Sequence, residues 1–141
     1  MPITIKRLDH VAFATDEFDR TRALCEEVLQ LKPVGIPATG FDGYKLAWFH
    51  DNDGVEYHVS KKLPDLVEKT HSGFNQSLYS HVAFEVESLE DAKEHLTELG
   101  FEYHELKGEG ILSRKQLYVL IEDLGLMLEL FESIGDAERA L

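Results

Sequence analysis

The tetrapeptide His10-Val11-Ala12-Phe13 recurs unchanged as His81-Val82-Ala83-Phe84, at an offset of 81 − 10 = 71 residues. The same offset places the segment Asp51-Asn52-Asp53-Gly54 on Glu122-Asp123-Leu124-Gly125. Two distant blocks therefore share one register, which indicates an old internal duplication. A duplication constrains the fold more strongly than any single residue propensity, because both copies must arrange their elements in the same way.

Each copy reads as a strand, a helix and about three further strands. The opening strands, near Leu8 to Ala14 and Tyr79 to Val86, are rich in β-branched and aromatic residues. The second helix begins at Ser88 with a capping box and places an apolar stripe on one face before Gly100 ends it. The stripe consists of Leu89, Ala92, Leu96 and Leu99. The first helix, beginning near Thr15 or Asp16, is expected to bury Leu24, Val28 and Leu31.

The predicted fold is therefore α+β, with two tandem βαβββ modules at residues 1–62 and 79–141 and a linker at 63–78. Glycines at 54 and 125 mark the turn between the last two strands of each module. We expect the strands to form one cupped, mostly antiparallel sheet of eight strands.

Composition excludes several classes of partner. The chain has 141 residues, and 14 Lys and Arg against 27 Asp and Glu give a formal net charge of −13, so a polyanion would meet a surface of like sign. Nucleic acid and anionic membranes are thus not expected as partners. The single cysteine, Cys25, cannot form an internal disulfide or a cysteine-only zinc site, and its helical context favours a small core residue over a reactive thiol. With no apolar run of roughly 20 residues and no signal-like N-terminal stretch, the expected location is cytoplasmic.

The repeat register brings four metal-competent side chains into equivalent positions. It superimposes His10 on His81 and, since 58 + 71 = 129, His58 on Glu129. If the two copies pack about a pseudo-twofold axis, their opening and closing strands share one concave sheet and these side chains converge on its floor. Because only one cysteine is present, a metal here must be held by histidines and carboxylates.

A simpler interpretation exists for each residue taken alone. A histidine in an apolar strand is more often a hydrogen-bonded core residue than a ligand, which would suffice for His10. Glu129 is harder to explain, because a carboxylate within the apolar segment 126–131 must be paired, bind a cation or face solvent from a sheet edge. Four other histidines lack repeat support and are interpreted as structural or exposed: His50, His71, His95 and His104.

The motifs Leu8-Asp9-His10-Val11-Ala12, Ser80-His81-Val82-Ala83-Phe84 and Gly125-Leu126-Met127-Leu128-Glu129-Leu130 resemble the vicinal oxygen chelate superfamily. That superfamily contains glyoxalase I, methylmalonyl-CoA epimerase, extradiol dioxygenases, fosfomycin-resistance enzymes and bleomycin-resistance proteins. The resemblance covers nearly all of residues 5–133.

The resemblance implies one divalent metal ion, such as Zn, Ni, Mn, Co or Fe(II). It also implies the ligand set His10, His58, His81 and Glu129, and a homodimeric assembly. The chain departs from the usual family pattern at the turn 122–125, which lacks the common Asp-Pro-Asp-Gly, and at His58, where members often carry Glu or Gln.

Three imidazoles and one carboxylate around a divalent ion leave a local charge of about +1 and about two open octahedral positions. Such a centre suits a small substrate chelated through two neighbouring oxygens, whose carbonyl the ion polarises. The resemblance implies that Glu129 leaves the ion to carry a proton. Glu56 lies two residues before His58 on the same strand face, so it is either a second catalytic base or a solvated residue at the strand end.

Candidate substrate-binding residues follow from strand alternation. Tyr44, Leu46 and Trp48 share one strand face, and 44 + 71 = 115 places Lys115 opposite Tyr44 in the second copy. If that face lines the cup, Tyr44 and Trp48 form an apolar wall and Lys115 supplies a cation for a carboxylate or phosphonate. The alternative is ordinary core packing for Trp48 and a solvated charge for Lys115 or Arg114.

Three functions remain open. The first is a non-redox metal enzyme, an isomerase, lyase or small-group transferase, acting on a small oxygenated anion. The second is an extradiol-type Fe(II) dioxygenase that uses His10, His81 and Glu129 as a facial triad and keeps His58 off the metal. The third is a non-catalytic protein that sequesters a drug or metabolite in the cup.

Overall fold

A computed structural model describes residues 3–38, 45–70, 74–106 and 111–134. The strands within these ranges are β1 (Ile5–Thr15), β2 (Lys32–Pro33), β3 (Leu46–His50), β4 (Glu56–Lys61), β5 (His81–Val86), β6 (His104–Leu106), β7 (Arg114–Ile121) and β8 (Leu126–Ser133). The helices are α1 (Phe18–Ala23), continued by a π-helical turn at Leu24–Val28, then α2 (Leu66–Thr70) and α3 (Leu89–Glu98). Short 3-10 turns lie at Gln76–Leu78 and Glu122–Leu124. None of these helices combines the length and the apolar character that crossing a bilayer requires.

The eight strands form one sheet in the order β2-β3-β4-β1-β5-β8-β7-β6, so the two halves of the chain occupy its two sides. The halves join where β1 and β5 pair in antiparallel fashion. In each half the closing strand lies parallel to the opening strand, as β4 does beside β1 and β8 beside β5. The remaining neighbours are antiparallel. The predicted α+β fold of two tandem βαβββ units in a mostly antiparallel sheet is confirmed.

The strand register explains why polar side chains gather at the centre of the sheet. Residues directly opposite each other on neighbouring strands share a face. Ala83 of β5 lies between His10 of β1 and Glu129 of β8. Ala12 of β1 lies between His58 of β4 and His81 of β5. Each small alanine therefore leaves the space over the central strands to the longer side chains on both sides of it.

Helix α3 covers the opposite face of the second half. Its N-cap is Ser88, whose Oγ accepts a hydrogen bond of 3.1 Å from the Asp91 backbone N–H, as the capping box predicts. Leu89, Ala92 and Leu96 pack against the apolar side chains of β7 and β8. Leu99, the last member of the predicted stripe, follows the helix and is 60% exposed.

The predicted apolar face of the first helix is wrong for Leu24 and Val28, whereas Leu31 packs, partly buried, against the core. Leu24 and Val28 are 48% and 69% exposed, whereas Phe18 and Cys25 are buried against Phe49 and Val59. The cause is the π-helical turn, in which the N–H of residue 29 bonds the carbonyl of Leu24 and a spacing of 3.6 residues no longer holds. Cys25 has no exposed surface, so the prediction of a core residue is confirmed.

Replacing Leu89 with alanine is expected to lower the free energy of unfolding by about 2–5 kcal/mol, because the side chain is fully buried between α3 and the sheet. The matched control is Leu99→Ala, which removes the same atoms from an exposed position and should change stability by at most about 0.5 kcal/mol. Urea unfolding followed by circular dichroism measures both. Equal losses in the two variants would contradict the packing described for α3.

Candidate metal centre

Two imidazoles and one carboxylate converge on the floor of the cupped sheet. Glu129 Oε1 lies 3.1 Å from His81 Nε2 and 3.6 Å from His10 Nε2. The two imidazole Nε2 atoms are 3.3 Å apart. All three candidate ligand atoms therefore lie within 4.8 Å of one another, which makes His10, His81 and Glu129 a group able to hold a metal ion.

Because the cluster is buried, the protonation states of its residues depend on the charges that they place beside one another. Glu129 and His10 are each only 1% exposed. Burial alone would raise the pKa of the Glu129 carboxyl, yet the His10 and His81 rings hold that pKa well below its usual range. Burial alone would lower the pKa of His10, but the Glu129 carboxylate, with help from Asp9, raises it to about 9. The carboxylate thus demands a positive charge beside it, which a proton on His10 supplies when no metal does.

The donor set fits a divalent transition metal. Imidazole nitrogen and carboxylate oxygen suit Zn, Fe, Co, Ni and Mn, and a 2-His-1-carboxylate face leaves other coordination positions open. Glu129 contributes one oxygen toward the histidines, while its Oε2 accepts a hydrogen bond of 3.4 Å from Gln116 Nε2. Gln116 is held in turn, since its Oε1 accepts a bond of 2.6 Å from the Ile111 N–H. The candidate ligand is therefore oriented by its neighbours.

His58, expected as a fourth ligand, lies beside this group and outside it. Its ring stacks between Trp48 and His10, with centroid distances of 3.5 Å and 3.9 Å. Its Nε2 lies 3.0 Å from Glu56 Oε1, so the imidazole N–H donates to that carboxylate. Burial, followed by the nearby His10, lowers the pKa of His58 well below its ordinary value. The structure brings three of the four predicted ligands together and gives His58 a different partner.

Glu56 is drawn inward by the same hydrogen bond. Its side chain is 13% exposed, so it is not the solvated strand-end residue that the sequence left open as an alternative. Glu56 lies opposite His10 in the β1–β4 ladder, on the strand face that the cup presents.

The cluster lies at the bottom of a cavity whose open space, with the solvent at its mouth included, is about 600 Å³. Its wall is largely aromatic and aliphatic, and it includes Trp48 as the sequence predicts. Besides the residues already described, the cavity is lined by Ala12, Leu46, Ser60, Gln76, Ser77, Tyr79, Ile111 and Tyr118. Tyr44, the other predicted wall residue, lies outside the described residues.

Lys115 does not line the cavity, because the two halves are not in one register along β3 and β7. Trp48 pairs with His58, whereas the residue paired with Glu129 is Tyr118, and 118 − 48 = 70. The second hairpin therefore contains one more residue than the first. That residue turns Lys115 to the opposite face, where it is exposed, and brings Tyr118 and Gln116 into the cavity wall. The offset between the two copies is 70 residues along β3 and β7 but 71 along β4 and β8. Assuming a single offset of 71 hides this difference in the sequence.

Comparison with known proteins agrees with this architecture. A sequence model of the Glyoxalase/Bleomycin resistance protein/Dioxygenase superfamily matches residues 7–125. No match was found among curated proteins.

Several solved structures share the fold at low sequence identity. A methylmalonyl-CoA epimerase from Mycobacterium tuberculosis superposes with a TM-score of 0.67 at 16% identity, over 94% of this chain and 91% of that one. A hypothetical protein from Bacillus halodurans C-125 gives 0.63 at 18% identity, over 94% and 98%. A Streptomyces coelicolor methylmalonyl-CoA epimerase variant in complex with 2-nitronate-propionyl-CoA gives 0.59 at 15% identity, over 94% and 100%.

The metal-free protein should lose stability as pH rises from about 6.5 to about 9. The pKa of His10 is raised to about 9 in the fold from an ordinary 6.5, so its contribution is complete below 6.5 and disappears as pH passes 9. The loss should approach about 3 kcal/mol. Urea unfolding of chelator-treated protein at several pH values measures it. Glu129→Gln removes the charge that raises this pKa and should flatten the profile; a flat profile in the unchanged protein would contradict the assignment.

Proposed function

The chain belongs to the Glyoxalase/Bleomycin resistance protein/Dioxygenase superfamily, and from that membership and the geometry of the site we propose that it is a divalent-metal-dependent isomerase or epimerase. Its substrate is a small molecule that binds through two neighbouring oxygens. The observation that carries the proposal is the convergence of His10, His81 and Glu129 in a cavity. The wall of that cavity also holds His58, whose ring is hydrogen-bonded to Glu56.

The three clustered residues would hold the ion. When bound, it supplies Lewis-acid polarisation of a chelated carbonyl, which makes an adjacent C–H acidic. With these three ligands alone, the ion would already neutralise the buried Glu129 carboxylate, so no fourth protein ligand is required. Open coordination positions are then left for two substrate oxygens, which is the binding mode that a vicinal diol, 2-hydroxy acid or 2-oxo acid requires.

His58 and Glu56 are the proposed proton-transfer pair. A neutral imidazole in the cavity wall is able to accept a proton from carbon, and the hydrogen-bonded Glu56 carboxylate stabilises the imidazolium that results. Glu129, which the family resemblance implies as a mobile proton carrier, has one oxygen beside His81 and the other bonded by Gln116. These contacts favour Glu129 as a fixed ligand.

The aromatic wall supports a substrate with an apolar body. Trp48 and Tyr118 flank the cluster from the two sides of the sheet, and both face the cavity. Among the described residues that line the cavity, none is a lysine or arginine. Recognition of a substrate anion would therefore rest on the metal itself. We infer that the substrate carries its oxygens at one end and hydrocarbon at the other.

An extradiol-type Fe(II) dioxygenase is the second candidate, and one observation favours it. His58 lies outside the three-residue group, and the 2-His-1-carboxylate face is the arrangement typical of non-haem Fe(II) oxygenases. An aromatic wall is also compatible with a catechol. The two proposals share the metal ligands and differ in whether the reaction consumes oxygen.

Metal analysis tests the ligand assignment. Protein purified without chelators or a His-tag should contain one divalent ion per chain, and His10→Ala and His81→Ala should lose it. His58→Ala should retain it, because that ring is bonded to Glu56 instead. His50→Ala is the matched control, since His50 bonds the Asp51 backbone carbonyl at a turn. A metal-free native protein, or metal loss in His50→Ala, would contradict the assignment.

Proton exchange tests the reaction. Metal-loaded protein should exchange the C–H next to a carbonyl with deuterium from D₂O, in a screen of 2-oxo acids, 2-hydroxy acids and hemithioacetals followed by NMR without oxygen. Glu56→Gln and His58→Ala should slow exchange by about 10²–10⁴-fold while metal is retained. The control is Glu105→Gln on β6, which breaks an ion pair with Lys93 of α3 and should leave the rate unchanged.

Two results would overturn the isomerase proposal. Oxygen uptake that depends on a catechol and on Fe(II) would replace it with the dioxygenase. Tight binding of compounds with neither exchange nor oxygen uptake would instead identify a sequestering protein, for which Glu56→Gln should not alter affinity.

A further inference from the structure

A β-bulge places Asp9 against a candidate metal ligand. In the β1–β5 ladder Leu8 pairs with Phe84 and His10 with Ala83, so Asp9 is an extra residue in β1. Neighbouring strand residues normally point to opposite faces, but here His10 Nδ1 donates a hydrogen bond of 2.7 Å to Asp9 Oδ2. Both side chains are almost fully buried. The bulge thus aims a carboxylate at the nitrogen of His10 that faces away from the cluster.

The Asp9 carboxylate is itself clamped. Arg114 Nη1 lies 3.2 Å from its Oδ2, and Arg7 Nη2 lies 3.1 Å from its Oδ1. The guanidinium of Arg114 also stacks 4.0 Å from the ring of Phe131, and its side chain is only 8% exposed. Arg114 is therefore not the solvated charge that the sequence left open. Burial alone would raise the pKa of Asp9, but the His10 hydrogen bond and Arg114 lower it.

The equivalent histidine has no such support. His81 is preceded by Ser80, whose Oγ accepts a 3.1 Å bond from the Ala14 N–H. His81 Nδ1 is buried and has no hydrogen-bond partner among the described residues. The duplication thus supplies two similar imidazoles, of which one is anchored by a buried ionic network and the other is not.

We propose that Asp9, clamped by Arg114, is a positioning residue that fixes the ring of His10 with Nε2 directed at the metal. The bond to a carboxylate holds the proton on Nδ1, leaves Nε2 as the donor atom and raises its basicity. The ring of His10 is then fixed in its orientation toward the metal, whereas the ring of His81 is free to reorient. The metal part of this inference rests on the proposed function; the orientation of His10 does not.

Metal affinity of designed variants tests the proposal. Asp9→Asn keeps the shape of the side chain and removes its charge. Competition with a chromophoric chelator should show Co²⁺ or Zn²⁺ binding about 10- to 100-fold weaker than in the unchanged protein. The matched control is Glu85→Gln, a buried carboxylate that shares Arg7 with Asp9 and otherwise contacts Lys6 and Ser133. Its affinity should stay within about threefold. Equal weakening in both variants would overturn the proposal, because the loss would then reflect general destabilisation.

A spectroscopic readout separates this inference from the proposed function. In metal-free protein, ¹⁵N-resolved NMR should show a downfield, exchange-protected Nδ1–H proton from His10, because its acceptor is an ionised carboxylate. The signal should move upfield in Asp9→Asn and stay in place in Glu85→Gln. If the unchanged protein binds no metal but shows this behaviour, the proposed function fails and the orientation of His10 stands. If the signal is absent or insensitive to Asp9→Asn, the positioning role is wrong.

A second variant covers the case in which Asp9→Asn does not fold. Arg114→Gln keeps the Asp9 carboxylate and removes its clamp, so Co²⁺ affinity should fall by about tenfold, with the same upfield movement of the His10 proton. The unfolding midpoint of each variant confirms that the native state is being measured. Unchanged affinity and an unchanged proton signal in folded Arg114→Gln would exclude Arg114 from the proposal.

Discussion

The buried carboxylate of Glu129 is the constraint on which the rest of the site depends. A group with 1% exposure on a sheet floor cannot stay ionised without positive charge at close range. The two candidate ligand histidines meet that demand from neighbouring strands, and Gln116 occupies the remaining oxygen. Removing the proton from His10 in the metal-free protein destabilises the fold, and a divalent cation that entered between the histidines would relieve the same demand. Fold stability and the proposed metal binding would thus answer one electrostatic requirement.

The sheet satisfies this requirement by placing each half's opening and closing strands side by side. Parallel pairing of β1 with β4 and of β5 with β8 aligns the polar positions in rows, and alanines at 12 and 83 keep those rows open. The helices carry none of the cluster residues. Helix α3 instead packs its leucines against the opposite face of the sheet. The strands are thus supported by apolar packing on that face, while the face that carries the cluster stays polar. Fold stability and site chemistry therefore use different faces of the same strands.

The repeat made the architecture and the three clustered residues predictable from sequence, because identical tetrapeptides fix the register of β1 against β5. It failed where the copies differ by one residue. The longer second hairpin put Tyr118, and not a residue at the constant offset, across from Glu129, so Lys115 was assigned to the wrong face. The exposed Leu24 follows from a π-helical turn that helical periodicity does not reveal. The repeat also predicts His58 as a ligand because it is equivalent to Glu129, but equivalence does not determine which neighbour its ring bonds. The ring bonds Glu56, which lies two residues before it on the same strand face.

The two modules differ from each other at the candidate site, and these differences bear on the proposed reaction. An equal duplication would give a symmetric site with matched ligands and matched surroundings, which has no means of treating the two ends of a substrate differently. Here the closing strand of the second half carries Glu129 where that of the first carries His58. Asp9 bonds Nδ1 of one imidazole, whereas Nδ1 of the other has no hydrogen-bond partner among the described residues. The His58–Glu56 pair stands on one side only. A histidine–carboxylate pair on one flank and an anchored imidazole beside it make the two sides of the cavity chemically different, which the proposed transfer of a proton at one carbon of a chelated substrate would require.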